Sequence, residues 1–268
     1  MISPPSSRFP DGRLSSRLIF AADFADVDEA RRATLALQPH LGLVKIGLEL
    51  FVGAGPSALS WAREAGLPIF LDLKLHDIPA TVERAVDRAI ALGARMLTVH
   101  AAGGKEMLLR AVRCAEAAGD TCTIVAVTVL TSLDDGDLAD LGVDSDAGTQ
   151  ARRLARLAFD QGVRAFVCSP EEVATLRAEL GPKATLITPG VRAAQAATRA
   201  PAAGASSSGG GGKDDQKRIA TAREAILRGA DYVVVGRPIR DAADPKAAAE
   251  QIDRTVRDAL AEAEAIRT

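Results

Sequence analysis

A chain of 268 residues, 47% of them hydrophobic, can bury a large core, either as one α/β domain or as two smaller ones. Only 3% is aromatic, so that core rests on Ala, Leu, Val and Ile. Thirty-three basic residues against 35 acidic ones leave a formal charge of −2, which argues against nucleic acid as a partner. In chain order, short apolar runs predict strands at 18–23, 43–47, 69–74, 96–100, 123–129, 165–168, 184–188 and 232–235. Alanine-rich stretches with charges at helical spacing predict helices at 28–37, 81–92, 105–117, 151–161 and 171–180, with a last amphipathic helix at 245–266. Gly66, Gly93, Gly119, Gly162, Gly181 and Gly229 stand where helices should end shortly before strands.

Regular alternation of strand and helix implies a parallel sheet with short crossovers. Eight such units in about 250 residues predict a closed (β/α)8 TIM barrel as a single domain, with a doubly wound open sheet as the alternative. The barrel is expected over 17–268, and residues 1–16 as a poorly ordered extension. Residues 193–213, with serines at 206–208 and glycines at 209–212, have the composition of a flexible loop. Following the seventh strand, that loop falls on the face where barrel active sites form, and is expected to act as a lid. No apolar run approaches about 18 residues, so no membrane span is expected. The start of the chain lacks the basic stretch and apolar run of a secretion signal. Cys114, Cys122 and Cys168 are widely spaced and read as buried small residues in a reducing compartment, so a cytoplasmic location is expected.

The stretch Leu71-Asp72-Leu73-Lys74-Leu75-His76-Asp77-Ile78-Pro79 carries the chemistry. Its leucines alternate with polar residues, which puts Asp72 and Lys74 on one face of a strand, about 6.6 Å apart at Cα. Pro79 fits the first position of the following helix. The first strand ends in Asp23, and Lys45 interrupts the apolar run Val44-Lys45-Ile46. A lysine on a core strand is costly without a carboxylate partner. Neighbouring strands of a barrel would bring Asp23, Lys45, Asp72 and Lys74 to one mouth, alternating acid and base. After the eighth strand, Gly236 permits close approach of the backbone and Arg237 can fork two hydrogen bonds to a phosphate. Pro189-Gly190-Val191-Arg192, after the seventh, offers a second arginine. His40, His76 and His100 are not at metal-ligand spacing, no zinc or EF-hand pattern occurs, and no metal is expected. His100 reads as a hydrogen-bonded structural histidine.

These residues resemble the orotidine 5′-phosphate decarboxylase family. The run Asp72-Leu73-Lys74-Leu75-His76-Asp77-Ile78-Pro79 is similar to its signature. Ala22-Asp23, Val44-Lys45-Ile46-Gly47, Leu130-Thr131-Ser132, Pro189-Gly190-Val191-Arg192, Asp215-Gln216-Lys217-Arg218 and Val235-Gly236-Arg237-Pro238 follow in the family's order. The chain departs from the family pattern at Ala80, where Asn is usual, and at Leu75, where an aromatic is common. The resemblance implies decarboxylation of orotidine 5′-monophosphate to UMP and CO2 without metal or organic cofactor. Carried over residue by residue, Lys74 is the proton donor, with Lys45, Asp72 and Asp77 completing a charged tetrad. Asp23 and Lys45 meet the ribose, Thr131 and Ser132 the pyrimidine, and Pro189, Arg192, Gln216, Gly236 and Arg237 the phosphate end. The resemblance further implies a homodimer in which Asp77 and Thr81 serve the partner's site. Two alternatives stand beside it: a Mg2+-dependent sugar-phosphate decarboxylase or aldolase of related design, and a non-catalytic nucleotide-binding barrel.

Overall fold

A computed structural model describes residues 16–192 and 220–267, without the side chains of residues 192, 266 and 267. The expected loop at 193–213 and Gln216 lie outside the described residues. Eight strands close a parallel barrel: β1 (Leu18–Ala21), β2 (Leu43–Ile46), β3 (Ile69–Leu75), β4 (Ala94–His100), β5 (Thr123–Val127), β6 (Ala165–Val167), β7 (Thr185–Thr188) and β10 (Tyr232–Val235). Each begins within two residues of its expected position, and the closed barrel excludes the open sheet. A further parallel pair, β8 (Val191–Arg192) with β9 (Ala220–Thr221), was not expected; two residues per strand leave no periodicity to read.

Strands buried on both faces read as nearly continuous apolar runs. The two faces serve different cores. Ile19, Ala21, Leu43, Phe70, Met96, Val125, Ala165, Ile187, Tyr232 and Val234 point inward and fill the barrel. Their alternates, among them Leu18, Phe20, Val44, Ile46, Ile69 and Leu97, point outward against the helices. At about 25 cal/mol per Å2 of apolar area, both layers contribute to stability, and small residues let the outer one pack closely. In α7 (Ala147–Asp160), for instance, Ala147, Ala151, Ala155 and Ala158 form the buried stripe, and Asp146 caps the start by accepting the Thr149 N–H at 2.8 Å.

Further helices follow expectation: α1 (Val27–Leu37), α4 (Pro79–Ala91), α5 (Lys105–Ala117), α8 (Val173–Leu180) and α11 (Pro245–Arg267). Pro79 does open α4. Glycine ends helices where the backbone turns left-handed, as at Gly162 (φ 95°) and Gly229 (φ 108°). Short helices α2 (Leu48–Ala54), α3 (Ser57–Glu64), α6 (Asp135–Asp140), α9 (Ala222–Leu227) and α10 (Arg237–Arg240) complete the connections. Of residues 1–16, Ser16 alone is described; it is buried and its hydroxyl accepts the Leu18 N–H at 3.0 Å.

Candidate active site

Side chains two apart on a strand share a face, so the inward positions can be followed to the carboxyl mouth of the barrel. On β1 they run Ile19, Ala21, Asp23; on β2, Leu43, Lys45, Gly47; on β3, Phe70, Asp72; on β4, Met96, Thr98, His100. Register then fixes their heights. Lys45 pairs with Ala21 on one side and with Phe70 on the other. Asp23 and Asp72, each two residues further along, therefore sit one rung above Lys45 on either flank. The ammonium rises between them, 3.0 Å from Asp23 Oδ1 and 3.6 Å from Asp72 Oδ2. Gly47 makes room for this pair: a Cβ there would lie 3.1 Å from Lys45 Nζ and 3.2 Å from Asp23 Oδ1.

The even alternation expected through 71–75 does not hold. Leu71 pairs with Leu97 and Leu75 with Val99, so β3 carries two extra residues opposite β4. The bulge places Lys74 in the left-handed region, at φ 49°. For a residue with a Cβ this costs about 1–2 kcal/mol. Thr98, facing the bulge from β4, meets its displaced backbone. The Lys74 N–H donates to Thr98 Oγ1 at 2.8 Å, and the Thr98 hydroxyl donates to Asp72 Oδ1 at 3.0 Å. The Lys74 ammonium lies 2.9 Å from both Asp72 oxygens. Asp23, Lys45, Asp72 and Lys74 thus form one continuous chain of ion pairs, as their spacing predicts.

Burial alone raises the Asp72 carboxyl, but the Lys45 and Lys74 ammonium groups, with hydrogen bonds from Lys74 and Thr98, outweigh it and hold the group below the ordinary carboxylate range. Asp72 is the shared anion of two cations, with a side chain only 12% exposed. His100 departs from expectation: its Nδ1 is buried without a hydrogen-bond partner among the described residues, and its ring stacks on His76 with centroids 5.3 Å apart. Burial, then the neighbouring His76 and Lys74, push its imidazole below the ordinary value. Cys122 and Cys168 are buried as expected, while Cys114 is half-buried. Burial pushes the Cys122 thiol up to about 12 and that of Cys168 higher still, which removes both as nucleophiles.

The remaining expected residues stand around this chain at different removes. Thr131 is buried and Ser132 exposed just beyond β5. Gly236 leads into α10, and a Cβ there would come within 3.3 Å of the Ala21 Cβ; Arg237 is exposed beside it. Pro189 follows β7, and Arg192 is described through its backbone in β8. Asp77 is not brought into the cluster: it is exposed, accepts the Ile78 N–H at 2.6 Å, and makes no ion pair with a described residue of its own chain. Thr81, on the first turn of α4, accepts from Arg84 at 3.5 Å. Thr98 and Gly47 are the two residues of the site that sequence reasoning did not assign. Among the described residues, no group of three or more His, Cys, Asp or Glu side chains is arranged to hold a metal ion.

A family model described as "Orotidine 5′-phosphate decarboxylase / HUMPS family" matches residues 16–252. An orotidine 5′-phosphate decarboxylase of Anaeromyxobacter sp. (strain K) is 49% identical over 238 residues, covering 89% of this chain and 97% of that protein. The chain belongs to the orotidine 5′-phosphate decarboxylase / HUMPS family. Within that family, the orotidine 5′-phosphate decarboxylase of Thermobifida fusca (strain YX) is 48% identical over 88% of this chain and 94% of its own length. A crystal structure of the orotidine 5′-phosphate decarboxylase from Lactobacillus acidophilus superposes with a TM-score of 0.75 at 33% identity, covering 90% of this chain and 99% of that one. An uncharacterized conserved protein from Geobacillus kaustophilus superposes with a TM-score of 0.72 at 30% identity, covering 89% and 99%. Family membership and the barrel are therefore supported by sequence and by structure alike.

Proposed function

We propose that this chain removes CO2 from orotidine 5′-monophosphate to give UMP, the last step of de novo pyrimidine synthesis. The observation that carries the reading is the Lys74 ammonium held 2.9 Å from both oxygens of Asp72 at the barrel mouth, with Lys45 behind, in a chain 49% identical to an orotidine 5′-phosphate decarboxylase. Breaking the C6–carboxylate bond leaves the electron pair on C6, where no neighbouring carbonyl can delocalise it. A fixed ammonium at that carbon stabilises the charge as it grows, and one of its protons then forms the new C6–H bond. Lys74 is left as an amine and regains a proton from solvent. Asp72 orients the donor and Lys45 balances Asp72. Asp23 and Lys45 are assigned to the ribose and Thr131 and Ser132 to the pyrimidine. Pro189, Arg192, Gln216, Gly236 and Arg237 are assigned to the phosphate, whose binding energy helps order the site. The reaction runs on these side chains without a cofactor, and a cytoplasmic location suits it. The test follows the ultraviolet absorbance of orotidylate in buffer with EDTA. Turnover that survives EDTA is expected; turnover that EDTA abolishes would favour the Mg2+-dependent sugar-phosphate reading.

The working unit in this reading is a homodimer whose partner supplies Asp77 and Thr81. Support comes from the edge of the site. Asp77 is exposed and makes no ion pair with a described residue, and Ile78 (67% exposed), Leu48 (51%) and Val52 (78%) leave apolar surface after the neighbouring strands β2 and β3. Mixing K74A and D77A chains reads this directly. Each mixed dimer would hold one wild-type site, so about a quarter of all sites should regain activity after random exchange. If the mixture stays as inactive as its parents, Asp77 does not act across an interface.

A further inference from the structure

We propose that Thr98 is a positioning residue for the decarboxylation, fixing the proton donor and its carboxylate partner through a single hydroxyl. The proposal rests on the reading of Lys74 as donor and adds a residue to that site. Thr98 is fully buried on β4, opposite the place where β3 carries its two extra residues. Its hydroxyl works in both directions, accepting from the Lys74 backbone N–H at 2.8 Å and donating to Asp72 Oδ1 at 3.0 Å. A bulge takes Lys74 out of the regular ladder, and a buried N–H needs an acceptor. The threonine hydroxyl supplies that acceptor from the neighbouring strand. Because a hydroxyl has one proton, pointing it at Asp72 leaves its lone pairs facing the Lys74 N–H, so the two bonds reinforce each other.

The consequence is a rigid triangle. The Lys74 backbone is pinned in its left-handed conformation, the Asp72 carboxylate cannot rotate freely, and the ammonium that bridges both Asp72 oxygens inherits their positions. The charged groups facing Asp72 from the packed strands are Lys45 on β2 and Lys74 on β3, and Thr98 is the neutral third contact from β4. A shift of about 1 Å in a reacting group can cost about a hundredfold in rate, so a residue that touches no substrate can still control turnover.

The test compares Thr98→Ser, which keeps the hydroxyl, with Thr98→Val, which keeps the shape and removes it. Thr98→Ser should retain kcat within a few-fold, whereas Thr98→Val should lose about a hundredfold in kcat with a much smaller change in KM. In parallel, a 13C NMR titration of the Asp72 carboxyl should show its midpoint rising in Thr98→Val and not in Thr98→Ser, because one donor to the carboxylate is gone. The NMR arm needs no turnover, so it stands even if orotidylate is not the substrate. If Thr98→Val does not fold, Thr98→Ala removes the same hydroxyl without placing a methyl against Asp72. Equal kcat in the Ser and Val (or Ala) variants, loss shared evenly between kcat and KM, or an unmoved Asp72 midpoint would overturn the proposal.

Discussion

Replacing Lys74 by alanine is expected to leave a folded barrel that has lost at least about ten-thousand-fold in kcat. Proton delivery by a placed side chain contributes about 10^2–10^4. A fixed charge aimed at the developing anion contributes a further 10^2–10^3 or so. Together these correspond to a barrier higher by 5 kcal/mol or more, roughly. The fold should survive because Asp72 is not abandoned: Lys45 remains 3.6 Å away and Thr98 still donates at 3.0 Å. Lys74 is also partly open to the mouth, with a side chain 33% exposed, so little packing is lost. Circular dichroism and thermal melting should therefore match wild type while the absorbance of orotidylate stays constant. Turnover within tenfold of wild type would remove Lys74 from its assigned role.

Asp72→Asn should fail differently, in stability as well as in rate. The substitution leaves the Lys45 and Lys74 ammonium groups facing each other across a neutral amide, with the half-exposed Asp23 as the remaining carboxylate in the chain. Breaking a buried pair in this way costs about 3–5 kcal/mol, and loss of the donor's alignment should lower kcat by about a thousandfold. The pH dependence carries the sign of the cause. In the wild type the Asp72 carboxyl titrates lower when folded than its unfolded value of 3.8. Its contribution is therefore complete at neutral pH and above that unfolded value, and disappears as acid takes the folded group through its own lower midpoint. Thermal melts should accordingly show a wide gap between wild type and Asp72→Asn at pH 7, narrowing as the pH drops below about 4. A gap independent of pH would mean that something other than the ionised carboxylate holds the strands together.

The barrel and most of the charged chain were legible in the sequence because both rest on a period of two. A lysine inside Val44-Lys45-Ile46, or an aspartate closing an apolar run at Asp23, stands out against buried strands, and strand order alone then brings such residues together. The bulge was not legible. Leu71, Leu73 and Leu75 keep alternating with polar residues in sequence while the backbone adds two residues against β4. Thr98 was hidden for the same reason: threonine is an ordinary strand residue, and its role exists only because of the displaced N–H across from it. The short α2 escaped because Gly53 and Gly55 interrupt any helical period there. His100 shows the limit of residue type as a guide, since its ring stacks on His76 and its Nδ1 finds no hydrogen-bond partner among the described residues.

Beneath the charged layer, the barrel interior is filled by Ile19, Leu43, Phe70, Met96, Val125, Ile187, Tyr232 and Val234. The vessel is consequently blind-ended. In the proposed reaction, that packing turns traffic toward the mouth: departure of the gas, exit of the nucleotide and return of a proton to the donor amine are expected to share the doorway by which the substrate enters.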